Sequence, residues 1–430
     1  MSVFRVQEHT IQASHIREYH RSLADEDDDD LKLTVKQYTP YDNLAARPGD
    51  VTIIAGHANG FPKELYEPLW DELYHQLKTR GINIRHIFIA DVAFQGQSYV
   101  LNETKIGNDP SWFDSARDFF LMVNYFREDI KHPIVGVGHS MGGVNLINLA
   151  EMHPRLFTTM ILIDPPLQRK PSPEGSRVVR ASLKRRDRWP SRAAAEASFK
   201  RSPFYQAWEP RVLDLWLKYG LRELPTHIYP SSSAPTSPNE EQEVTLTTTK
   251  HQEVFTFLRA GPPTKDSASP YPQDLPEHLT HPDLDHENGP VGPYYRPEIS
   301  PTFQRLQFLR PSVLWIFADK SDLSAEPLRA DKLAVTGTGV GGSGGVKAGR
   351  VSSVLMQGFG HLVPFENVKG VAEHIVTWTI PELARWREEI AAVRQDWERI
   401  PKEKRSLLND EYIQGLEKLG PPLPPRKAKI

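Results

Sequence analysis

The amino-acid sequence predicts an α/β fold with a mostly parallel, twisted sheet flanked by helices. From DVTIIAG (50–56) to TTMILIDPP (158–166), short apolar stretches alternate with amphipathic stretches of helical length. Strands that alternate with helices are joined by right-handed crossovers and run parallel. The alternation stops at residue 165 and resumes with two apolar stretches after residue 310. We therefore expect one sheet whose strands are interrupted by an inserted helical cap.

The first fifty residues are predicted to form a hairpin. The stretches HTIQASHIREY (9–19) and LKLTVKQYTP (31–40) have the alternating pattern of strands. The acidic run 25–30 lies between them, and its six adjacent acids repel one another. We interpret this run as a solvated turn and not as a metal site.

The remaining strands are predicted from short apolar runs and the helices from their amphipathic periodicity. The strands are DVTIIAG, INIRHIFIAD (82–91), HPIVGVGHS (132–140), TTMILIDPP, PSVLWIFADKSD (311–322) and RVSSVLMQGFGHLVP (350–364). The helices of the core are 63–81, 111–129, 142–154 and the long stretch 367–400.

These elements predict four segments. Residues 1–164 form the N-terminal part of the core, and 165–310 form a helical cap with a polar, partly disordered insertion. Residues 311–385 complete the core and contain a flexible Gly-rich loop at 336–349, whose glycines precede a strand and not a phosphate-binding helix. Residues 386–430 form C-terminal helices and a Pro-rich tail.

Composition excludes several classes of function. The chain of 430 residues has no cysteine, which excludes disulfides, zinc–thiolate sites and cysteine nucleophiles. Its formal net charge of −3 gives no support to nucleic-acid or anionic-membrane binding. No signal peptide or apolar run long enough to span a membrane is visible. The sequence predicts a soluble intracellular protein without a cofactor or metal, and we interpret HPDLDHEN (281–288) as a solvated loop.

Ser140 is the candidate nucleophile. It lies in Gly138-His139-Ser140-Met141-Gly142, directly after an apolar strand and directly before a helix. A G-x-S-x-G motif alone is weak, but this position is the one that a nucleophile elbow requires. Small flanking residues let the strand and the helix approach, and the helix N-terminus favours developing negative charge.

A serine nucleophile needs a base and an acid that orients the base. His361 follows the last predicted strand and is the candidate base. Asp322 is the preferred acid, because a loop of a few residues after strand 311–322 would bring it back to the histidine; this choice places the cap before the acid-bearing strand. Asp319 in the same loop and Asp164 at the end of an earlier strand remain alternatives.

Two backbone N–H groups are needed to bind the oxyanion. One is that of Met141, the residue after the nucleophile. The other is expected from the loop after DVTIIAG, where we favour Asn59, with Ala58 and Gly60 as neighbours able to do the same work.

Two groups of cap residues bear on the substrate. The aromatic residues predict an apolar acyl group or lipid-like substrate, although each could equally belong to the core of the cap; they include Trp189, Phe204, Tyr205 and Trp208. Basic residues at 184–192 could bind the phosphates of a coenzyme A thioester, although a solvated helix face is the simpler interpretation.

The last three residues, Ala428, Lys429 and Ile430, are small, basic and aliphatic in turn, as in a peroxisomal targeting tripeptide. They predict import into the peroxisomal matrix through its import receptor.

The stretches HANGFPKELYEPLWDEL and GHSMGG, the cap stretch 185–221 and the terminal AKI resemble the α/β-hydrolase superfamily. Within it they resemble a fungal group of peroxisomal lipase-like hydrolases and hydrolases of host-selective toxin biosynthesis, such as the AK-toxin type. The resemblance covers roughly residues 35–385 and implies a serine hydrolase with Ser140, Asp322 and His361 as its triad.

The predicted activity is cleavage of a carboxylic ester, lipid-like or from secondary metabolism, through an acyl-enzyme. An acyl-coenzyme A thioesterase is the alternative enzyme. A non-catalytic binder or sensor that uses the hydrolase fold is the alternative of another class. Epoxide hydrolases and dehalogenases are disfavoured because they would carry Asp at the elbow.

Overall fold

The structure is a computed structural model that describes residues 2–28, 30–169, 175–230, 242–262, 275–284 and 294–419. Its central feature is a sheet of eight strands, and the α/β fold predicted from the sequence is confirmed. The strands of this sheet are β1 (Phe4–Gln12), β2 (Lys32–Pro40), β3 (Val51–Gly56), β4 (Ile84–Ala90), β5 (Ile134–His139), β6 (Thr159–Ile163), β12 (Ser312–Ala318) and β13 (Val351–Met356). Their spatial order is β1-β2-β4-β3-β5-β6-β12-β13.

The predicted hairpin is present as β1 and β2, which pair antiparallel at one edge of the sheet. Its first strand begins at Phe4, earlier than the alternating pattern at 9–19 indicated, because pairing with Pro40 extends the strand to the N-terminus. From β4 to β13 all neighbouring strands run parallel. Every residue of β5 is buried, as expected of a strand with helices on both faces of the sheet.

The helices on the two faces of the sheet belong mostly to residues 67–152 and 299–382. In the described residues the helices, in chain order, are α1 (Glu67–Thr79), α2 (Gly96–Asn102), α3 (Trp112–Tyr125), α4 (Met141–Met152), α5 (Gly175–Lys184), α6 (Arg192–Lys200), α7 (Pro203–Gln206), α8 (Pro210–Tyr219), α9 (Lys250–Phe257), α10 (Glu277–Thr280), α11 (Ile299–Arg305), α12 (Glu326–Val335), α13 (Val363–Glu366), α14 (Val368–Glu398) and α15 (Asp410–Glu417). Residues 1–382 form one compact unit and residues 383–430 a second one, which contains the end of α14 and α15.

The cap lies between β6 and β12, where the sequence predicted an insertion. It contains α5 to α10 and two small sheets. Their short strands are β7 (Arg188–Trp189), β8 (Leu221–Glu223), β9 (Val244–Leu246), β10 (Arg259–Ala260) and β11 (Tyr294–Tyr295). The cap has its own aromatic core, in which Phe199, Tyr205 and Trp216 pack with ring centroids 4.6–6.1 Å apart.

The Gly-rich loop at 336–349, predicted to be a flexible insertion, is anchored by backbone hydrogen bonds. Gly339 N–H donates to the Gln307 carbonyl, and Ser343 N–H donates to the Leu309 carbonyl. Several of its glycines have positive φ, which glycine adopts without steric cost. The loop leads into β13, as the sequence predicted.

Candidate active site

Ser140 lies at the sharp turn between β5 and α4, at the carboxyl edge of the parallel strands. Its φ of 54° and ψ of −123° are a strained conformation for a residue with a side chain. Its N–H donates to the Ile163 carbonyl at 2.9 Å, which ties the turn to β6. The turn that the sequence predicted for Ser140 is therefore present.

The glycines around Ser140 allow β3, β5 and α4 to approach closely. A Cβ at Gly138 would lie 2.5 Å from the Gly143 Cα, and one at Gly142 would lie 2.2 Å from the Gly56 carbonyl carbon. Both distances are shorter than any side chain tolerates. The motif is rich in glycine because larger residues would force the three elements apart.

His361 lies between β13 and α13 and joins two distant parts of the chain. Its Nε2 is 2.9 Å from the Ser140 Oγ, and its Nδ1 is 2.7 Å from the Asp164 Oδ2. The structure thus brings the predicted nucleophile and base into direct contact. Asp164, which the sequence offered as an alternative acid, completes a hydrogen-bonded row Ser140–His361–Asp164.

The hydrogen bonds fix which ring nitrogen carries the proton. An ionised carboxylate only accepts hydrogen bonds, so the Nδ1 of His361 donates to Asp164 and its Nε2 accepts from the Ser140 hydroxyl. Burial would raise the pKa of Asp164, but hydrogen bonds from His361, Ser321 and Ser324, together with the charge of His361, lower it below its usual range. The ionised form of Asp164 is therefore favoured, and the ring is oriented for proton abstraction from Ser140.

Asp164 is held from the loop after β12. The Ser321 hydroxyl donates to its Oδ2 and the Ser324 hydroxyl to its Oδ1. Asp164 itself directly follows β6, is 1% exposed and has a φ of 44°. Neither serine was predicted to belong to the site, because nothing in the spacing of SDLS distinguishes them from ordinary turn residues.

The preferred acid, Asp322, is not brought to His361. Its side chain is 51% exposed and forms an ion pair with Arg177 of the cap. Asp319 also points elsewhere, since its Oδ1 accepts the N–H of Gly358 at 2.7 Å. The loop after β12 does curl toward the site, as expected, but it brings serine hydroxyls and not a carboxylate. Because Asp164 precedes the cap, the prediction that the cap lies before the acid-bearing strand is corrected as well.

The loop after β3 contains the three backbone N–H groups that the sequence offered for the oxyanion. The Ala58 N–H donates to the Tyr66 hydroxyl at 2.9 Å, and the Gly60 N–H donates to the Gln95 Oε1 at 2.8 Å. Within the described residues, the N–H groups of Asn59 and Met141 have no hydrogen-bond acceptor. Of the three predicted neighbours, Asn59 is therefore the one available to a substrate oxygen.

The aromatic residues of the cap differ in what they contact. Trp189 and Tyr205 are buried within its aromatic core, whereas Phe204 is half exposed. Trp208 is buried as well, but its ring also packs against Phe61 of the loop after β3 and against Phe365 of α13. The structural interpretation is therefore favoured for Trp189 and Tyr205, while Trp208 joins the cap to the loops of the site.

The basic residues of the cap are engaged within the protein. Arg185 pairs with Glu253 and Arg188 with Glu243, and Arg186 and Arg192 donate to backbone carbonyls.

Three further predictions concern metal binding, membrane spanning and targeting. Within them, no group of three or more His, Asp or Glu side chains could hold a metal ion. No described helix is both long and apolar enough to cross a membrane. The tripeptide Ala428, Lys429 and Ile430, part of HPDLDHEN and parts of the polar insertion lie outside the described residues.

Comparison with known proteins relates this chain to hydrolases. A family model described as serine aminopeptidase, S33 (Hydrolase_4) matches residues 69–211. The type I acyl-CoA thioesterase mpaH′ of Penicillium brevicompactum is 42% identical over 407 residues, which cover 91% of each chain. The abhydrolase domain-containing protein ACTT2-2 of Alternaria alternata is 27% identical and covers 67% of this chain and 99% of its own.

Among solved structures, the peroxisomal α/β-hydrolase Lpx1 of Saccharomyces cerevisiae superposes with a TM-score of 0.64. The sequence identity is 16%, and the match covers 97% of this chain and 96% of that one. At this identity the likeness concerns the fold alone.

Proposed function

Since the chain belongs to the α/β-hydrolase family, we propose that it is a serine hydrolase that cleaves acyl-coenzyme A thioesters. The observation that carries the hydrolase assignment is the continuous hydrogen-bonded row Ser140–His361–Asp164. The thioester is proposed because a relative 42% identical over nearly the whole chain is named an acyl-CoA thioesterase. This reverses the order of the two substrates predicted from the sequence, where the oxygen ester came first.

In the proposed mechanism the Ser140 Oγ attacks the thioester carbonyl carbon while the Nε2 of His361 takes its proton. Asp164 keeps the imidazole in the required tautomer and stabilises the imidazolium. The N–H groups of Met141 and Asn59 bind the oxyanion of the tetrahedral intermediate.

Collapse of that intermediate breaks the carbon–sulfur bond. His361 gives its proton to the leaving sulfur, so coenzyme A leaves as the free thiol and Ser140 carries the acyl group. Water then attacks the acyl-enzyme with His361 as base. This step releases the acid product and regenerates the free serine.

The substrate is tested by comparing acetyl-, hexanoyl- and palmitoyl-coenzyme A with 4-nitrophenyl esters of the same acyl groups. Released coenzyme A is followed with a chromogenic thiol reagent, which gives no background from the protein because the chain has no cysteine. We expect kcat/KM for the thioester to exceed that for the matched ester at least about tenfold, and Ser140→Ala to abolish both activities.

A preference for the oxygen esters would overturn the thioester assignment and restore the ester hydrolase. If neither series is hydrolysed, the hydrolase assignment fails and the non-catalytic binder becomes the better hypothesis.

Peroxisomal location and a role in secondary-metabolite or toxin biosynthesis stay predictions from the sequence. For the location, a fluorescent protein fused ahead of residue 1 should give punctate fluorescence with the full chain and diffuse fluorescence once residues 428–430 are deleted. Puncta that persist after the deletion would contradict the targeting prediction.

A further inference from the structure

His139, the residue before the nucleophile, has no role in the mechanism above, yet both its ring nitrogens are engaged. Its Nδ1 is 2.8 Å from the Tyr66 hydroxyl, and its Nε2 is 2.9 Å from the His361 backbone carbonyl. The imidazole is buried. A G-x-S-x-G motif leaves this position open, so the motif alone does not explain these contacts.

The hydrogen bonds of Tyr66 and His139 form a row in which every group donates in the same direction. A carbonyl oxygen only accepts, so the Nε2 of His139 carries the proton and its Nδ1 accepts from the Tyr66 hydroxyl. That hydroxyl in turn accepts the Ala58 N–H at 2.9 Å. The row therefore begins at the backbone of the oxyanion loop and ends at the backbone of the base.

The neutral form of His139 that this row requires is the form that its environment favours. Burial, reinforced by the charge of His361, lowers the pKa of His139 to about 3. Burial also raises the pKa of Tyr66, so its hydroxyl keeps the proton that it donates. Phe365 packs edge-on against both rings, with ring centroids 5.2 Å from Tyr66 and 5.7 Å from His139.

We propose that Tyr66 and His139 are positioning residues that set the separation between the oxyanion donor at Asn59 and the general base His361. Ala58 directly precedes Asn59, so the Tyr66 hydroxyl fixes the peptide plane next to the oxyanion donor. His139 holds the carbonyl of the residue whose ring must reach Ser140. This inference rests on the proposed hydrolase, since it assigns parts of the same site.

The row joins three segments that are distant in sequence: the loop after β3, the elbow after β5 and the loop after β13. A displacement of about 1 Å between reacting groups can lower the rate about a hundredfold. Both ends of the row lie next to such groups. Loss of a link should therefore reduce the rate of the chemical step more than it reduces binding of the substrate.

The test compares Tyr66→Phe with the matched control Tyr74→Phe. Tyr74 lies on α1, and its hydroxyl donates to Asp42 at an exposed site. With 4-nitrophenyl butyrate we expect Tyr66→Phe to lower kcat about 10- to 100-fold with KM changed less than about twofold, and Tyr74→Phe to match the wild type. Circular dichroism and thermal unfolding verify that both variants are folded.

His139 is tested by two substitutions and by a double-mutant cycle with Tyr66. His139→Gln retains an N–H donor for the His361 carbonyl, whereas His139→Leu retains none, so Gln should preserve more of kcat than Leu. In His139→Leu, Tyr66 has lost its acceptor but still accepts the Ala58 N–H, so adding Tyr66→Phe there should lower kcat by a smaller factor than it does in the wild type.

A Tyr66→Phe enzyme with the kcat of the wild type would overturn the proposal. So would losses that simply multiply in the double variant, or a loss confined to thermal stability. Failure of the proposed function gives a different result: the wild type itself would neither hydrolyse an ester or thioester nor be labelled by a fluorophosphonate, and the inference would fall with it.

Discussion

Two segments at the carboxyl edge of the sheet could have supplied the acid, and they differ in burial. The residue after β6, Asp164, is 1% exposed and receives hydrogen bonds from His361, Ser321 and Ser324. Asp322, in the loop after β12, is 51% exposed and pairs with Arg177. A charge that orients a histidine must be held by several donors, and of the two carboxylates only Asp164 has them.

The two segments nevertheless act together at the site. The loop after β12 approaches the site as it would if it carried the acid, but it brings two hydroxyl groups to the carboxylate of the earlier strand. The comparison shows that a loop can keep its path to an active site while the charged group comes from its neighbour. Substitutions at the acid, at the two hydroxyls and beneath the loop should separate these roles.

The largest effect is expected from removing the charge at Asp164. Asp164→Asn should lower kcat about 10³- to 10⁴-fold, because the amide no longer selects the tautomer with Nδ1–H on His361. Asp322→Asn should leave kcat within about twofold, because exposed ion pairs contribute little. Steady-state hydrolysis of the preferred substrate measures kcat for both variants. A larger loss of kcat in Asp322→Asn than in Asp164→Asn would assign the acid to Asp322 instead.

A smaller effect is expected from the hydroxyls that hold the acid. Ser321→Ala and Ser324→Ala each remove one hydrogen bond to a charged group, a contribution of about 1.5–3 kcal/mol. The pKa of Asp164 should rise toward its usual range in each variant. We expect kcat to fall about tenfold for each serine, measured at neutral pH. Activity unchanged in the double variant would show that the loop after β12 has no part in holding the acid.

The smallest effect on activity is expected at Lys332, which lies beneath the same loop. Its ammonium group donates to the Leu323 carbonyl at 3.1 Å, and burial lowers its pKa from 10.5 to about 8. Between pH 8 and 10.5 the unfolded chain binds a proton that the folded chain lacks, so this residue makes stability rise with pH in that window.

At neutral pH the buried charge of Lys332 lowers the free energy of unfolding by about 3 kcal/mol through the same linkage, before any offset from its hydrogen bond. Lys332→Met should therefore raise the free energy of unfolding by about 1–3 kcal/mol at pH 7. Relative to the variant, the wild type should gain stability from pH 8 upward. Denaturant unfolding at pH 7, 9 and 10 measures this difference. A difference that is constant with pH would contradict the lowered pKa.

Much of the fold could be predicted from the sequence because it depends on local periodicity. The parallel strands, the cap between β6 and β12 and the positions of Ser140 and His361 at strand ends follow from apolar runs and their order. The start of β1 was misplaced because pairing with the partner strand, and not the alternating pattern, sets where a strand begins.

The site was less predictable wherever its parts come from distant segments. Chain order favours a carboxylate after β12, but it contains no information on which carboxylate is buried. The roles of Ser321, Tyr66 and His139 depend on hydrogen bonds between residues far apart in sequence. Direct adjacency to a buried strand did not separate the candidates, because Asp164 follows β6 as Asp319 follows β12. The general expectation for the fold therefore decided the choice.

The central claim, that Ser140 is activated through His361 by Asp164, is tested most directly by the rate of fluorophosphonate labelling. Intact-mass spectrometry of the wild type, Ser140→Ala, Asp164→Asn and Asp322→Asn gives this rate without knowledge of the substrate. We expect equal labelling of the wild type and Asp322→Asn, none of Ser140→Ala, and labelling at least about a hundredfold slower for Asp164→Asn. Slow labelling of Asp322→Asn together with normal labelling of Asp164→Asn would contradict the account.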